Sequence, residues 1–552
     1  MEPTGSFWDC GEFIACAYKL QVAHSPGAPL FLLIARIFTM FAPGPEQVAF
    51  TVNFMSNVMT ALVSLFLFWT VTMLARKIIG KKEADLSIAE IIAIMGAGLV
   101  GALACTFTDS NWFSAAEGEV YASSAAFTAF VVWAIFKWDN IADQPHADRW
   151  LLLIAYAMGL SIGVHLLNLL AIPAMVFVYY FRKYPYSRIG MVKTFLLACL
   201  ILAGVQYGVI PQIPNLAAKF DIAFVNSFGL PFNTGAIVFA LLVIGLIVFL
   251  IRYAVRKGNY VLHTSMLAVC MIILGYTSYT MVLIRANANP VINMSNPKDL
   301  ISLLSYLNRE QYGDRPLVYG EVFTARPVDV DWNGGEMRYW KGPERYEEIG
   351  RKPVIKYAAG DQMLFPRAWN NDDPGHVRFY QNWLDLPEGQ KPTMGDNLRF
   401  FFTYQINYMY FRYFLWNFSG RQNDIQGHGN TVHAGNWITG IPPVDNLFLG
   451  PQGDLPPSMD SKAKNKFFLL PLILGLVGVF YHFRRRKTDA LVVLLLFFFT
   501  GLAIVIYLNQ TPLQPRERDY AYAGSFYAYC IFIGLGVLAL WDWLRTKFDP
   551  KA

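Results

Sequence analysis

Charge is scarce in this 552-residue sequence: Asp, Glu, Lys and Arg together make up 15% of it, against 55% hydrophobic residues. Soluble domains carry roughly 25% charged residues. The deficit, with a mean hydropathy of +0.35, argues against a water-soluble chain and for one whose solvent is largely lipid. Cysteine is sparse as well. Cys10, Cys16, Cys105, Cys199, Cys270 and Cys530 form no Cys-x-x-Cys pair, which argues against a zinc or thiol-redox motif. Cys105, Cys199 and Cys270 lie inside apolar runs and read as packing residues. Cys10 and Cys16 stand six residues apart, a spacing that on a helix points them away from each other and disfavours a disulfide. No cleavable leader follows Met1. No heptad, low-complexity tract or internal repeat is visible, and the missing repeat disfavours transporter folds built on internal symmetry. The net charge of +6 is modest and gathers in short loops. It reads as an orientation signal, with no nucleic-acid partner expected.

What is present is a series of apolar runs near 49–76, 86–107, 121–137, 150–166, 167–182, 191–210, 234–253, 259–284, 466–482, 488–508 and 523–544. At about 1.5 Å per residue, roughly twenty residues cross the hydrocarbon core. The pattern predicts an all-α polytopic membrane protein with about eleven transmembrane helices, the pair 150–182 being broken by His165 and Asn168. Basic clusters at Arg76-Lys77, Arg182-Lys183, Arg252 with Arg256, Arg484-Arg485-Arg486-Lys487, and Arg545 with Lys547 follow every second span. Positive loops stay in the cytoplasm. The outward connections are then 1–26, 108–120, 211–233, 285–465 and 509–521. The long polar stretch 285–465 is expected to be an inserted extracytoplasmic domain of mixed short elements. It would lie between an N-terminal transmembrane region (1–284, with its first outward loop at 1–26) and a C-terminal one (466–552). Near its end, Asn397 to Phe418 is dense in aromatics but interrupted by Arg399 and Arg412. That composition fits either a helix lying on the membrane surface or a buried helix of the domain.

Outward polar residues gather where spans surface. Ser6-Phe7-Trp8-Asp9-Cys10-Gly11-Glu12-Phe13 sets two carboxylates three apart, beside an amphipathic helix running to about His24. Such positions share a helix face, so Asp9 can serve as a general base while Glu12 holds a metal or an acceptor group. The same Asp-x-x-Glu spacing also fits a helix cap. Asp109, Glu117 and Glu119 put three carboxylates at a membrane boundary, where they are costly unless solvated or paired; they line a pocket or belong to a solvated loop. His165 and Asn168 fall inside apolar sequence and serve either a pocket or helix packing. Arg285, Arg516 and Arg518 break the positive-inside pattern. A lipid phosphate held by bidentate hydrogen bonds would compensate them, as would pairing with Glu517, Asp519 or Glu119. Outward carboxylates and guanidinium groups at headgroup level are coherent with sugar transfer from a lipid-linked phosphosugar.

Six stretches carry a family likeness: SFWDCGEFIACAYKLQVAHSPGAPLF (6–31), NWFSAAEGEVYASSAAFTA (111–129), GLSIGVHLLNLLAIPA (159–174), SYLNREQYGDRPLVYG (305–320), MYFRYFLWNFSGRQNDIQG (409–427) and PRERDYAYAGSFYAYCIFIGLG (515–536). The chain resembles a bacterial family of multi-pass membrane proteins similar to protein O-mannosyltransferases, within the GT-C superfamily of polyprenyl-phosphosugar-dependent glycosyltransferases. The resemblance implies a GT-C-like fold in the bacterial inner membrane, with its active site facing the periplasm. It implies transfer of a hexose, mannose first among candidates, from a polyprenyl-phosphate donor to Ser or Thr hydroxyls of exported proteins. Asp9, in Asp9-Cys10-Gly11-Glu12, would be the base and Glu12 would orient the acceptor or a metal. Arg285, Arg516 and Arg518 would meet the donor phosphate, and Asp109, Glu117, Glu119, His165 and Asn168 would line the pocket. A divalent cation is admitted but not required. The family often has His-Pro-Pro-Gly where this chain has His24-Ser25-Pro26-Gly27, a change of chain stiffness more than of chemistry. Relatives carry a transmembrane helix before this loop, and a further helix and soluble part after the last span, so the resemblance implies that both are missing here. The rival readings are transfer to a glycolipid or polysaccharide, a transporter or flippase, and a non-catalytic scaffold with 285–465 as a binding module.

Overall fold

Peptide groups in hydrocarbon must find partners within their own segment, so spanning sequence forms helices. The computed structural model describes residues 2–548 apart from 430, 454 and 458, so the expected bounds at 1 and 552 lie outside the described residues. Among the described residues nine helices are long and apolar enough to cross a membrane: Pro45–Ile79, Ile88–Thr106, Val120–Ile141, Leu166–Lys183, Arg188–Phe228, Thr234–Arg256, Tyr260–Asn287, Lys487–Leu508 and Asp519–Phe548. Nine of the eleven expected runs coincide with them. The other two, near 150–166 and 466–482, form the shorter helices Arg149–Ile162 and Leu470–Arg485. A further short apolar helix, Pro29–Thr39, has no counterpart among the expected runs.

The chain forms two compact units that do not follow chain order. The first comprises Met1–Val63, Ser114–Asp314 and Trp332–Val354; the second comprises Ser64–Phe113, Arg315–Asp331 and Ile355–Ala552. The polar stretch 285–465 therefore contributes to both. It holds short helices and antiparallel strand pairs, such as Met337–Lys341 with Tyr346–Arg351 in the first unit and Tyr319–Glu321 with Gln362–Leu364 in the second.

In the first unit, Arg149–Ile162 lies against Tyr260–Tyr276 so closely that a Cβ at Gly159 would overlap the backbone of Ile272. Apolar helices in lipid gain little from hydrophobic burial and associate through such close van der Waals packing. The fully buried Asp221 accepts hydrogen bonds from the backbone N–H groups of Asn233 and Gly235, both at 3.0 Å, and from the Tyr346 hydroxyl at 2.7 Å. One carboxylate thereby closes a helix-to-helix turn and anchors the strand pair.

In the second unit, Leu470–Arg485 meets the last helix through Gly478, where a Cβ would overlap the Phe532 carbonyl oxygen. The aromatic stretch expected either on the membrane surface or in a core is a core helix. It runs through Met394–Phe400, a wider-wound π segment Phe401–Phe411, and Arg412–Phe418. Phe400, Tyr404, Tyr410, Tyr413, Trp416 and Phe418 are each exposed by 1% or less. Arg412, 3% exposed, is held by a two-pronged pair with Glu517 at 3.1 and 2.7 Å and by the Gly435 carbonyl at 2.8 Å. Its guanidinium also lies 3.9 Å from the Tyr408 ring centre.

Two substitutions test these packing arguments. Arg412→Met leaves the Glu517 carboxylate buried without its cation and is expected to cost about 3–5 kcal/mol, read as a lowered unfolding midpoint in detergent. Gly478→Leu forces two helices apart in the second unit and is expected to lower the same midpoint, whereas Gly245→Leu, where a Cβ meets nothing within 4 Å, should leave it unchanged.

Candidate functional site

The acidic motif opens the helix Cys10–Lys19 in the first unit. Trp8 stands just before it with φ of 67°, a left-handed backbone that an aromatic residue rarely adopts. Asp9 occupies the N-cap position, but its side chain makes no capping hydrogen bond. The capping box that the spacing also allowed is therefore not formed. Glu12 turns instead to a residue twelve positions on: its Oε1 accepts the His24 backbone N–H at 2.6 Å, and its Oε2 lies 3.0 Å from His24 Nδ1.

His24 reaches Glu12 because the chain reverses after Leu20, which takes a left-handed conformation with φ of 47°. The returning loop is clamped by Tyr306, whose hydroxyl donates to the Ala23 carbonyl and whose carbonyl accepts the Ser25 hydroxyl. Gly27, at φ of 90°, leaves no room for a Cβ against that same phenol. Ser25 thus supplies a hydrogen bond that proline cannot.

Asp9, Glu12 and His24 are each half-buried, and one ligand atom from each falls within 4.8 Å of the others. Burial raises the Glu12 carboxyl, but the hydrogen bonds and charge of His24 outweigh it and hold the group below its ordinary value. The Glu12 hydrogen bond lifts His24 above the ordinary imidazole value against burial; the charge of Asp9 adds to this and that of Arg309 opposes it. Nearby Cys16 is pushed up to about 12 by burial and by Glu12, so it is inert as a nucleophile. Two carboxylates and an imidazole suit a divalent cation of Zn or Mn type. Such an ion would replace the Glu12–His24 contact.

Cys10, on the same helix, lies in a second cluster with Glu117 and Glu119, again with ligand atoms within 4.8 Å. The Ser6 hydroxyl donates to Cys10 Sγ at 3.0 Å and to Glu117 at 3.3 Å, and Cys10 Sγ lies 3.7 Å from the buried Glu119 carboxylate. The expected pocket residues Glu117 and Glu119 are therefore wired to the motif helix. His165 caps the short helix Leu166–Ala171 by accepting the Leu167 N–H at 3.2 Å, and Asn168 is fully buried. His165 thus serves the chain break between helices, and the Asn168 amide reaches Met158 Sδ at 3.6 Å. Arg285 donates to the carbonyls of Leu20 and Lys19, at the end of the motif helix opposite Asp9. A cation there satisfies terminal carbonyls and complements the helix dipole.

Asp109, Arg516 and Arg518 belong to the second unit. Burial lifts Asp109 to about 6, with the Asp519 charge adding to it and Arg421 and an Asn465 hydrogen bond opposing. Arg518 spends its guanidinium on neutral acceptors, the Gln514 side chain at 2.8 Å and the Tyr520 hydroxyl, and Arg516 stacks on the Tyr520 ring at 4.8 Å. Pairing of Arg518 with Glu517 is pre-empted by Arg412.

His24 was absent from the expected site. Its twelve-residue separation from Glu12 has no helical period, and only the reversal at 20–28 brings the two together.

Residues 9–188 match the family model described as the N-terminal domain of protein O-mannosyl-transferase TMEM260. Residues 313–402 match a family of unknown function, DUF8416. Two curated relatives are similar over part of this region. Protein O-mannosyl-transferase tmem260 of Dictyostelium discoideum is 29% identical over 131 residues, 24% of this chain and 14% of its own length. Protein O-mannosyl-transferase TMEM260 of Mus musculus is 26% identical over 155 residues, 28% of this chain and 19% of its own. The matched stretch thus spans less than a fifth of either relative. No solved structure matches significantly.

The Glu12–His24 pair has a definite pH signature. Glu12 is lowered when folded, so its share of stability is present above about 4.5 and is lost as pH falls through the lowered value. His24 is raised, so its share is present below about 6.5 and is lost as pH rises through the raised value. The gap in melting temperature between wild type and Glu12→Gln is expected to be widest between those two values and to shrink by pH 9.

Proposed function

We propose that this chain is a multi-pass membrane glycosyltransferase of the protein O-mannosyltransferase type, which moves a hexose, first of all mannose, from a polyprenyl-phosphate donor to a Ser or Thr hydroxyl. The observation that carries the reading is that the matched segment 9–188 begins at Asp9 and contains both Glu12 and His24. The acidic cluster and the family likeness therefore fall on the same residues. The mouse and Dictyostelium relatives bear the name of that activity.

In this reading Asp9 is the general base, since its carboxylate is left out of capping and stays partly open to solvent. It takes the proton of the acceptor hydroxyl as that oxygen attacks the anomeric carbon. The bond between this carbon and the phosphate oxygen breaks, and the polyprenyl phosphate leaves with the electron pair. Glu12, held on both oxygens by His24, is a positioning residue that fixes the entry of the helix carrying Asp9. Glu117 and Glu119 line the same end of that helix. In this reading the face lies on the side away from the cytoplasm, which the alternation of basic loops with the spans supports; for a bacterial chain that is the periplasm.

The test is transfer of labelled mannose from polyprenyl-phosphate-mannose to an acceptor peptide by membranes carrying the chain. Asp9→Asn is expected to lower kcat by about 10²–10⁴-fold at unchanged melting temperature. Retention of wild-type kcat by Asp9→Asn sinks the assignment of the base. Transfer to a lipid or polysaccharide fraction instead of the peptide replaces the acceptor.

A further inference from the structure

Arg309 ends the helix Leu300–Leu307 inside a motif, Ser305-Tyr306-Leu307-Asn308-Arg309-Glu310, to which the proposed chemistry gives no role. Its place is set by Tyr306. That residue is 2% exposed and grips the loop carrying His24: the phenol donates to the Ala23 carbonyl and lies 3.4 Å from the His24 carbonyl, while Tyr306's own carbonyl accepts the Ser25 hydroxyl. Three residues on, the Arg309 N–H bonds back to that same Tyr306 carbonyl at 3.2 Å, and Arg309 takes a left-handed backbone with φ of 56°. A non-glycine residue in this conformation costs about 1 kcal/mol. The turn therefore fixes Arg309 three residues after the tyrosine that grips the His24 loop.

The guanidinium is exposed. It rests on the Tyr312 ring at 4.7 Å and meets no carboxylate at ion-pair distance among the described residues. Its charge opposes the lift on His24. The contrast with Arg285 is direct, because Arg285 lies in the same unit but is committed to the carbonyls of Lys19 and Leu20. An aromatic shelf restricts a guanidinium while leaving its N–H fork available, and that fork matches a phosphate.

Resting on the glycosyl-transfer reading above, we propose that Arg309 is the cation that receives the phosphate of the donor beside Asp9, Glu12 and His24. There it neutralises the negative charge that grows on the leaving phosphate as the sugar–oxygen bond breaks. The assignment moves the phosphate contact expected of Arg285 to a residue whose charge is uncommitted.

The full chain in phosphatidylcholine nanodiscs tests this without requiring turnover. Polyprenyl phosphate and inorganic phosphate are titrated separately against wild type, Arg309→Gln and Arg309→Lys, with melting temperature as the control for folding. Arg309→Gln is expected to weaken polyprenyl-phosphate binding at least 10-fold at an unchanged melting temperature, with partial recovery in Arg309→Lys. In the transfer assay the donor KM should rise by a similar factor in Arg309→Gln, while Asp9→Asn should lower kcat with donor binding retained. An unchanged binding constant in Arg309→Gln overturns the proposal. So does a wild type that binds inorganic phosphate as well as polyprenyl phosphate. A wild type that binds polyprenyl phosphate through Arg309 but transfers no sugar supports the phosphate site and sinks the transferase reading alone.

Discussion

The bilayer core offers a peptide group nothing to bond with, and wherever this chain interrupts a helix at membrane depth a side chain has to supply the missing partner. His165 does so at the break after Ile162, giving its ring nitrogen to the Leu167 N–H. At the polar turn before Thr234, Asp221 likewise collects two backbone N–H groups and a phenol on one buried carboxylate. The buried charge of Arg412 brings its counter-charge with it in Glu517. Glycines allow backbones to approach where apolar side chains would only face lipid of equal polarity. These polar residues are thereby spent on architecture and withdrawn from chemistry.

The candidate site lies where that constraint relaxes. Asp9 stands at the open end of a short helix outside the spanning segments. The helix is held at both ends: Glu12 takes two hydrogen bonds from His24 near the start, and Arg285 satisfies carbonyls at the finish. Tyr306 ties the loop that brings His24 back. A catalytic carboxylate needs its neighbours fixed before substrate arrives, and this arrangement fixes them from three separate parts of the chain.

Much of the fold was legible in the sequence because lipid imposes a simple rule on composition. Runs of apolar residues marked nine helices that the structure forms, and basic clusters marked alternate loops. The two runs that proved short, near 150 and 470, fail at opposite ends: the first helix stops at Gly163-Val164-His165, and the second starts only after the left-handed Phe468 and Leu469. The aromatic stretch 397–418 was undecidable from composition, since the same rings suit an interface or a core; Arg412 paired with Glu517 shows the core. At the site, Asp9, Glu12, Glu117 and Glu119 were visible as acidic residues where spans surface, because carboxylates are rare in such sequence.

The amino-acid order by itself determined that this is a helical membrane protein, which of its loops carry acidic residues, and that a short acidic motif opens the chain's first helix. Those facts rest on composition and on neighbours a few residues apart, which act through solvent and helix geometry alone. Only the tertiary structure decided that Glu12 faces His24 in place of capping its own helix. It likewise decided that the N–H groups of Arg285 go to the carbonyls of Lys19 and Leu20, and that Ser25 and Gly27 admit Tyr306. Each of those outcomes depends on a contact between segments separated by twelve to nearly three hundred residues. A linear pattern carries no information about which distant polar groups will meet.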